Sequence, residues 1–265
     1  MRSLWKGALS FGLVNIPVQM FTGSKTQELK FTLLHKKDHS QIRYARICKD
    51  EEKEVPWSDI VKGYPTEKGD YIVMTDEDIQ KAIAQKSNLI EILYFTNQNE
   101  IDPIYFEKPY ILTPDKSADK SYGLLIEALK KSKKTAIVRY VIHGREHVGS
   151  LSFYGNFILL NQLRYQSELA DVSELKEPAQ FKGSAKEIDI AMQLIKHMEK
   201  KFDPAEFKDT YVETLKKAIK QKEKGKKTVV VPTKGPAPSK KIHDIMSLLK
   251  ASLEEQEKKP KKCAQ

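Results

Sequence analysis

Residues 4–18 read Leu-Trp-Lys-Gly-Ala-Leu-Ser-Phe-Gly-Leu-Val-Asn-Ile-Pro-Val. Large apolar residues alternate at Leu9, Phe11 and Leu13; the apolar set then changes phase to Val14, Ile16, Val18 and Met20. A period of two marks a strand with one buried face. A change of phase inside such a strand demands a bulge or a sharp bend, and Gly12 and Pro17 are the residues that permit one. Strands that bend in this way build small barrels, so the stretch predicts a barrel wall.

Working outward, 29–35 reads as a further strand and 41–48 alternates polar and apolar residues as a half-buried strand would, with Lys36–Ser40 as the turn between them. A short strand at Tyr71–Met74 precedes a helix opened by Asp76, Glu77 and Asp78, acids that complement the helix dipole. Strands at 90–95 and 105–112 follow, then an amphipathic helix over 121–131 with Leu124, Leu125, Ala128 and Leu129 at helical spacing. Three strands at 136–143, 148–154 and 157–164 are separated by Gly144-Arg145 and Gly155-Asn156. This density of strands predicts a barrel-like sheet that ends near residue 170.

Beyond it the period becomes helical. Ser184-x-x-Glu187 is a capping box that opens a helix with Ile188, Met192, Ile195 and Met198 on one side. Asp203-Pro204-x-Glu206 predicts the start of the next, whose stripe is Tyr211, Leu215, Ala218 and Ile219. Two such helices either pack back on the barrel or reach across to a partner chain. Residues 224–241 read as a Lys-rich linker. Ile242, Ile245, Met246, Leu248, Leu249 and Leu253 then make a short amphipathic helix, too small to fold alone. It suits either a partner's groove or the barrel itself.

Charge separates body from tail. The chain of 265 residues carries 46 Lys and Arg against 36 Asp and Glu, a formal charge of +10. Residues 216–265 hold 15 lysines and 5 acids, so the whole surplus lies there and residues 1–215 are neutral. A neutral body with a basic tail suits contact with nucleic acid or another polyanion, or simply a solvated tail. Within the body, 30–49 has six basic residues against Asp38, and 128–145 has six against none. Segregation of this kind can make one positive surface. No run approaches the roughly 18 apolar residues of a membrane span, and two cysteines allow no disulfide framework, as expected of a cytoplasmic protein.

Catalytic chemistry is not evident. His143-Gly-Arg-Glu146-His147 has the lettering of a zinc motif, but Gly144 between strand-like segments predicts a hairpin with Arg145 at its tip, not a helix that would bring both histidines to one metal. Cys48 has no cysteine near it, and no Gly-rich phosphate loop or nucleophile elbow occurs. No metal, cofactor or enzymatic activity is expected.

Several segments resemble the bacterial Ku family, the DNA-end-binding proteins of non-homologous end joining. They are Leu4–Val18, Ile42–Cys48, Ile101-Asp102-Pro103 with Tyr105-Phe106, Lys120–Leu125 with Ala136–Val138, and Phe202–Pro204 with Asp209–Tyr211. They occur in order across roughly 1–220 and weakly again in 242–255. Some family members carry a second cysteine after the Arg43-Tyr44 segment; this chain keeps only Cys48, which argues against a zinc knuckle. The resemblance implies an α+β fold: a mostly antiparallel β-barrel core over 1–175, including a DNA-bridging arm at about 30–70. A helical dimerisation arm over 176–223 and the basic tail over 224–265 follow. It implies a homodimeric ring on double-stranded DNA ends that recruits and stimulates DNA ligase D. Lys30, Lys36, Lys37, Arg43 and Arg46 would then meet phosphates, with Arg139 and Arg145 as second candidates, each of which could equally be a paired surface charge. Ile245, Leu248, Leu249 and Leu253 would form the ligase-docking face. An architectural protein that coats DNA without regard to ends is the alternative.

Overall fold

A computed structural model describes residues 1–25, 29–82, 88–178 and 184–225. The segment 242–253, with Ile245, Leu248, Leu249 and Leu253, and nearly all of the linker before it lie outside the described residues.

The opening stretch folds as a hairpin. β1 (Trp5–Phe11) and β2 (Val14–Thr22) pair antiparallel with Leu9 opposite Ile16 and Phe11 opposite Val14. The turn between them is Gly12-Leu13, with Gly12 at φ +60°. Leu13 is wholly exposed. The expected bulge or sharp bend within one strand is therefore a two-residue turn between two strands. Both devices reset the phase, and Gly at the first turn position favours the hairpin. Pro17 sits opposite Ala8. The Ala8 N–H bonds Asn88 O instead of β2, and Pro17 O accepts from Asp115 N–H, so the proline ring takes no donor from the β1–β2 ladder.

After the hairpin come β3 (Lys62–Pro65), β4 (Tyr71–Met74) and α1 (Asp76–Ala82). Next are β5 (Leu89–Asn97), β6 (Phe106–Pro114), α2 (Asp119–Ser132), β7 (Lys134–Ile142), β8 (Arg145–Tyr154) and β9 (Phe157–Leu163). Seven strands close a barrel in the order β1-β2-β6-β9-β8-β7-β5, and the closing β1–β5 pair is parallel while the others are antiparallel. Gly7 lies at that seam: a Cβ there would stand 2.2 Å from Asn88 O. Leu9, Ile16, Ile90, Leu112, Val138, Leu151 and Leu160 fill the interior.

α2 closes one end of the barrel with Tyr122, Leu125, Ile126 and Leu129. The Tyr122 hydroxyl donates to Leu112 O at 2.6 Å and accepts from Ile158 N–H at 2.8 Å. Leu112 and Ile158 are the last register pair of β6 and β9, so the ring finishes that ladder. Burial pushes its phenol up to about 12.

Residues 173 onward form a separate unit. α3 (Ala185–Met198) carries the expected capping box, Ser184 N–H donating to Glu187 Oε2 at 2.5 Å. Pro204–Glu206 is a separate 3-10 turn rather than the start of the next helix. α4 (Thr210–Glu223) is capped instead by Asp209, which accepts from Val212 N–H at 3.1 Å.

Candidate nucleic-acid interface

Between β2 and α1 the chain leaves the barrel. No residue of 29–75 is buried. The segments 29–35 and 41–48 are not strands: the Leu34–Gln41 bridge joins them, and Ile47 bridges Glu54. Tyr44 is 87% exposed. Alternation needs a sheet to bury one of its faces, and this arm has none beneath it. β3 and β4 pair only with each other, through a turn with Gly69 at φ +88°.

The expected turn is present. His35 N–H donates to Ser40 O at 2.8 Å, and the Asp38 carboxylate accepts from Ser40 N–H and Oγ–H and meets His35 Nδ1 at 2.7 Å. The Ser40 backbone N–H first, then the His35 ring, holds the Asp38 carboxyl below its usual range. Lys36 and Lys37 thus stand on a turn whose only acid is already engaged. Among the described residues, Lys30, Lys36, Lys37 and Arg43 take part in no ion pair. All four are exposed.

Arg46 is held differently. Its guanidinium carbon lies 4.5 Å from the centre of the Trp57 ring. The Arg46 carbonyl accepts from Val55 N–H at 2.7 Å, which brings the segment bearing Trp57 alongside. A cation on an aromatic face keeps its charge and its outward N–H donors while losing rotamer freedom. Residue type alone marked Arg46; Trp57 was missed. The available signal was aromatic interleaving in a basic stretch, with Tyr44, Trp57, Tyr64 and Tyr71 all exposed.

The second-rank candidates lie on the barrel wall and are paired. Arg139 donates to Glu91 at 3.0 Å and lies 3.9 Å from Glu146. The Glu91 hydrogen bond raises its guanidinium pKa further. Arg145 meets Glu168 at 2.7 Å; the Tyr165 backbone N–H and then Arg145 lower the Glu168 carboxyl. Arg145 is the first residue of β8, one past the turn rather than at its tip, since the turn is His143-Gly144 at φ 52° and 79°. His147 stacks on Tyr140 at 5.6 Å, so the two histidines belong to a hairpin. Cys48 is free. Among the described residues no cluster of His, Cys, Asp or Glu is arranged to hold a metal ion, and no helix is long and apolar enough to cross a membrane.

The candidate interface is therefore an exposed arm rich in aromatic residues, with its basic residues concentrated in 30–49. Lysine and arginine in such a setting suit phosphates rather than base edges.

Residues 10–190 match the family model of the Ku70/Ku80 beta-barrel domain. The chain is similar to a "Non-homologous end joining protein Ku" of Opitutus terrae, 38% identical over 100% of this chain and 97% of the relative. The protein of the same name from Coxiella burnetii is 36% identical over 98% of this chain and 97% of the relative. That of Bacillus subtilis is 36% identical over 96% and 82%. Similarity of this depth over nearly the whole length leaves one assignment: the chain belongs to the Ku family.

Proposed function

We propose that this chain binds the ends of double-stranded DNA as a homodimeric ring in non-homologous end joining, and recruits and stimulates DNA ligase D without catalytic activity of its own. Its relatives are non-homologous end joining proteins, which supports the process. The observation that carries the proposal is the arm: residues 29–75 bury nothing, yet thirteen of them are large apolar side chains that stand exposed. Exposed apolar surface on that scale calls for a partner. A second copy supplies one with matching chemistry, and two arms joined in this way enclose a duplex.

A ring that must accept any end cannot depend on base readout, so lysine and arginine on phosphates provide the affinity. Preference for ends then follows from topology, because a closed ring loads only where the duplex stops. Lys30, Lys36, Lys37, Arg43 and Arg46 are the phosphate contacts. Arg139 and Arg145, already paired with carboxylates, rank below them. Six to ten contacts per ring would reduce affinity by roughly 10³–10⁵ between 50 and 200 mM salt. As a repair factor acting on the chromosome, the protein works in the cytoplasm at the nucleoid.

Competition tests the proposal. Protein of measured oligomeric state is bound to labelled linear duplex and challenged with linear or closed circular DNA of equal length. The circle should compete poorly. Equal competition would instead mean a coating protein indifferent to ends, and a monomer that retains end preference would remove the ring.

A further inference from the structure

The end of the barrel that α2 covers is not fully closed. Phe11, Phe95, Leu125, Ala128, Leu129 and Lys134 surround a cavity of about 200 Å³. Phe11 and Phe95 meet edge-on, with ring centres 6.1 Å apart, and form its wall; Leu125 and Leu129 form its buried floor. The volume lies below the roughly 300–1,000 Å³ of small-molecule pockets and suits one large side chain. A second, wider hollow of about 610 Å³ adjoins in sequence, lined by Asn97, Asn99 and Lys133 among others.

Positive charge is in surplus around these hollows. Of the four lysines in 130–134, Lys130 alone has a carboxylate partner, Glu127 at 3.2 Å. Lys134 donates to the neutral Asn97 Oδ1 at 2.8 Å. Lys131 and Lys133 belong to no ion pair among the described residues. The nearby Glu100 carboxylate accepts from Thr96 and Asn97 and also feels the charge of Lys134, so the surplus rests mainly on Lys131 and Lys133. An apolar hole beside unneutralised lysines matches an acidic, amphipathic ligand, since the hole would take an anchor and the lysines its carboxylates. Nucleic acid fits less well, because phosphates gain nothing from the apolar wall.

We propose that this barrel end docks an amphipathic peptide of a partner protein, one large apolar side chain entering the Phe11–Phe95–Leu129 cavity and flanking Asp or Glu meeting Lys133 and Lys134. The site is independent of the basic arm and of the proposed ring.

Three fluorescein-labelled helical peptides of about a dozen residues test it by anisotropy against the full chain. One has a central Phe between acidic residues, one the same Phe between lysines, and one the acidic flanks with Ala at the centre. The first should bind saturably and the other two about tenfold more weakly or worse. Ala128 is exposed on α2, so Ala128→Trp fills the cavity from outside the core and should weaken the first peptide by about tenfold. Lys134→Glu should do the same and decides the matter alone if Ala128→Trp does not fold. Equal binding of the three peptides, or unchanged affinity in the folded variants, overturns the proposal. Displacement of the peptide by closed circular DNA would make this a nucleic-acid face and overturns it as well.

Discussion

Arg46 and Trp57 show how much of a binding site rests on charge and how much on orientation. Replacing Arg43 and Arg46 by Glu removes two cations from the arm. Binding should weaken alike for every end sequence, and because a ring of two chains loses four such contacts at about 0.9 each, the log–log salt slope should become shallower by roughly three to four. Trp57→Ala leaves the charge and removes the ring 4.5 Å from it. Exposed cation–π contacts are worth about 0.5–1 kcal/mol, so affinity should fall about two- to fivefold with the slope unchanged. A slope that moves with Trp57, or stays put in the double arginine variant, would locate the phosphate contacts elsewhere. The basic residues were legible from the sequence because charge is a property of residue type. Their partners were not: Arg139 pairs with Glu91, a residue brought next to it only by the β5–β7 register. Tyr122 was not among the apolar positions read on its helix, and its hydroxyl completes a strand ladder. Tyr122→Phe leaves Ile158 N–H buried and unpaired and should cost about 1–3 kcal/mol in urea unfolding. With the phenol raised to about 12, its contribution is intact below pH 10 and is lost as pH rises from 10 towards 12, because the unfolded chain releases the proton first. The Phe variant should lose less stability over that range than the parent, keeping only the part that belongs to the other raised phenols, Tyr140 and Tyr165.

At the scale of elements, legibility tracked burial. β5 to β9 and α2 appeared where sequence periodicity placed them, because each buries one face in a single core and burial enforces the pattern. The arm failed the same test: Gln41–Cys48 alternates, but with no sheet beneath it the pattern specifies no strand. The Gly12 phase shift was seen correctly and its cause was not, since a bulge and a two-residue turn produce the same shift in sequence. α3 poses the converse case. Its capping box is intact, yet Ile188, Met192, Ile195 and Met198 are each at least half exposed. An apolar stripe exposed to this extent suits the helical arm of the proposed dimer. Ile188→Glu with Ile195→Glu leaves the Ser184–Glu187 cap untouched, so the helix should persist by circular dichroism. In light scattering after gel filtration the pair of charges should shift the protein from dimer to monomer, and linear duplex should then lose its advantage over circles. A dimer that survives both charges would place the interface on the 29–75 arm alone.

At the scale of the molecule, sequence separates the tail into two pieces with different duties. Residues 226–241 hold five lysines and no acid, while 242–265 hold five lysines and four acids. If the tail meets DNA as the proposed function requires, that attraction belongs almost entirely to the first piece. The second is nearly neutral and carries Ile245, Leu248, Leu249 and Leu253 at helical spacing, a pattern suited to a protein groove and not to phosphates. Under the proposed function the two should separate cleanly. Removing 242–265 changes the net charge by one, so end binding at moderate salt should stay within about twofold. Stimulation of DNA ligase D on linear duplex should fall to the level of ligase alone. Extending the deletion back to 226 removes five further cations and should lower both the affinity and the salt slope. Alanine at Leu248 and Leu249 in the full chain should reproduce the loss of stimulation without any change in slope, which separates a docking defect from an electrostatic one. Normal stimulation by the 1–241 chain would exclude the segment from ligase contact, and the barrel end lined by Phe11, Phe95 and Lys134 would then be the next surface to test against the ligase.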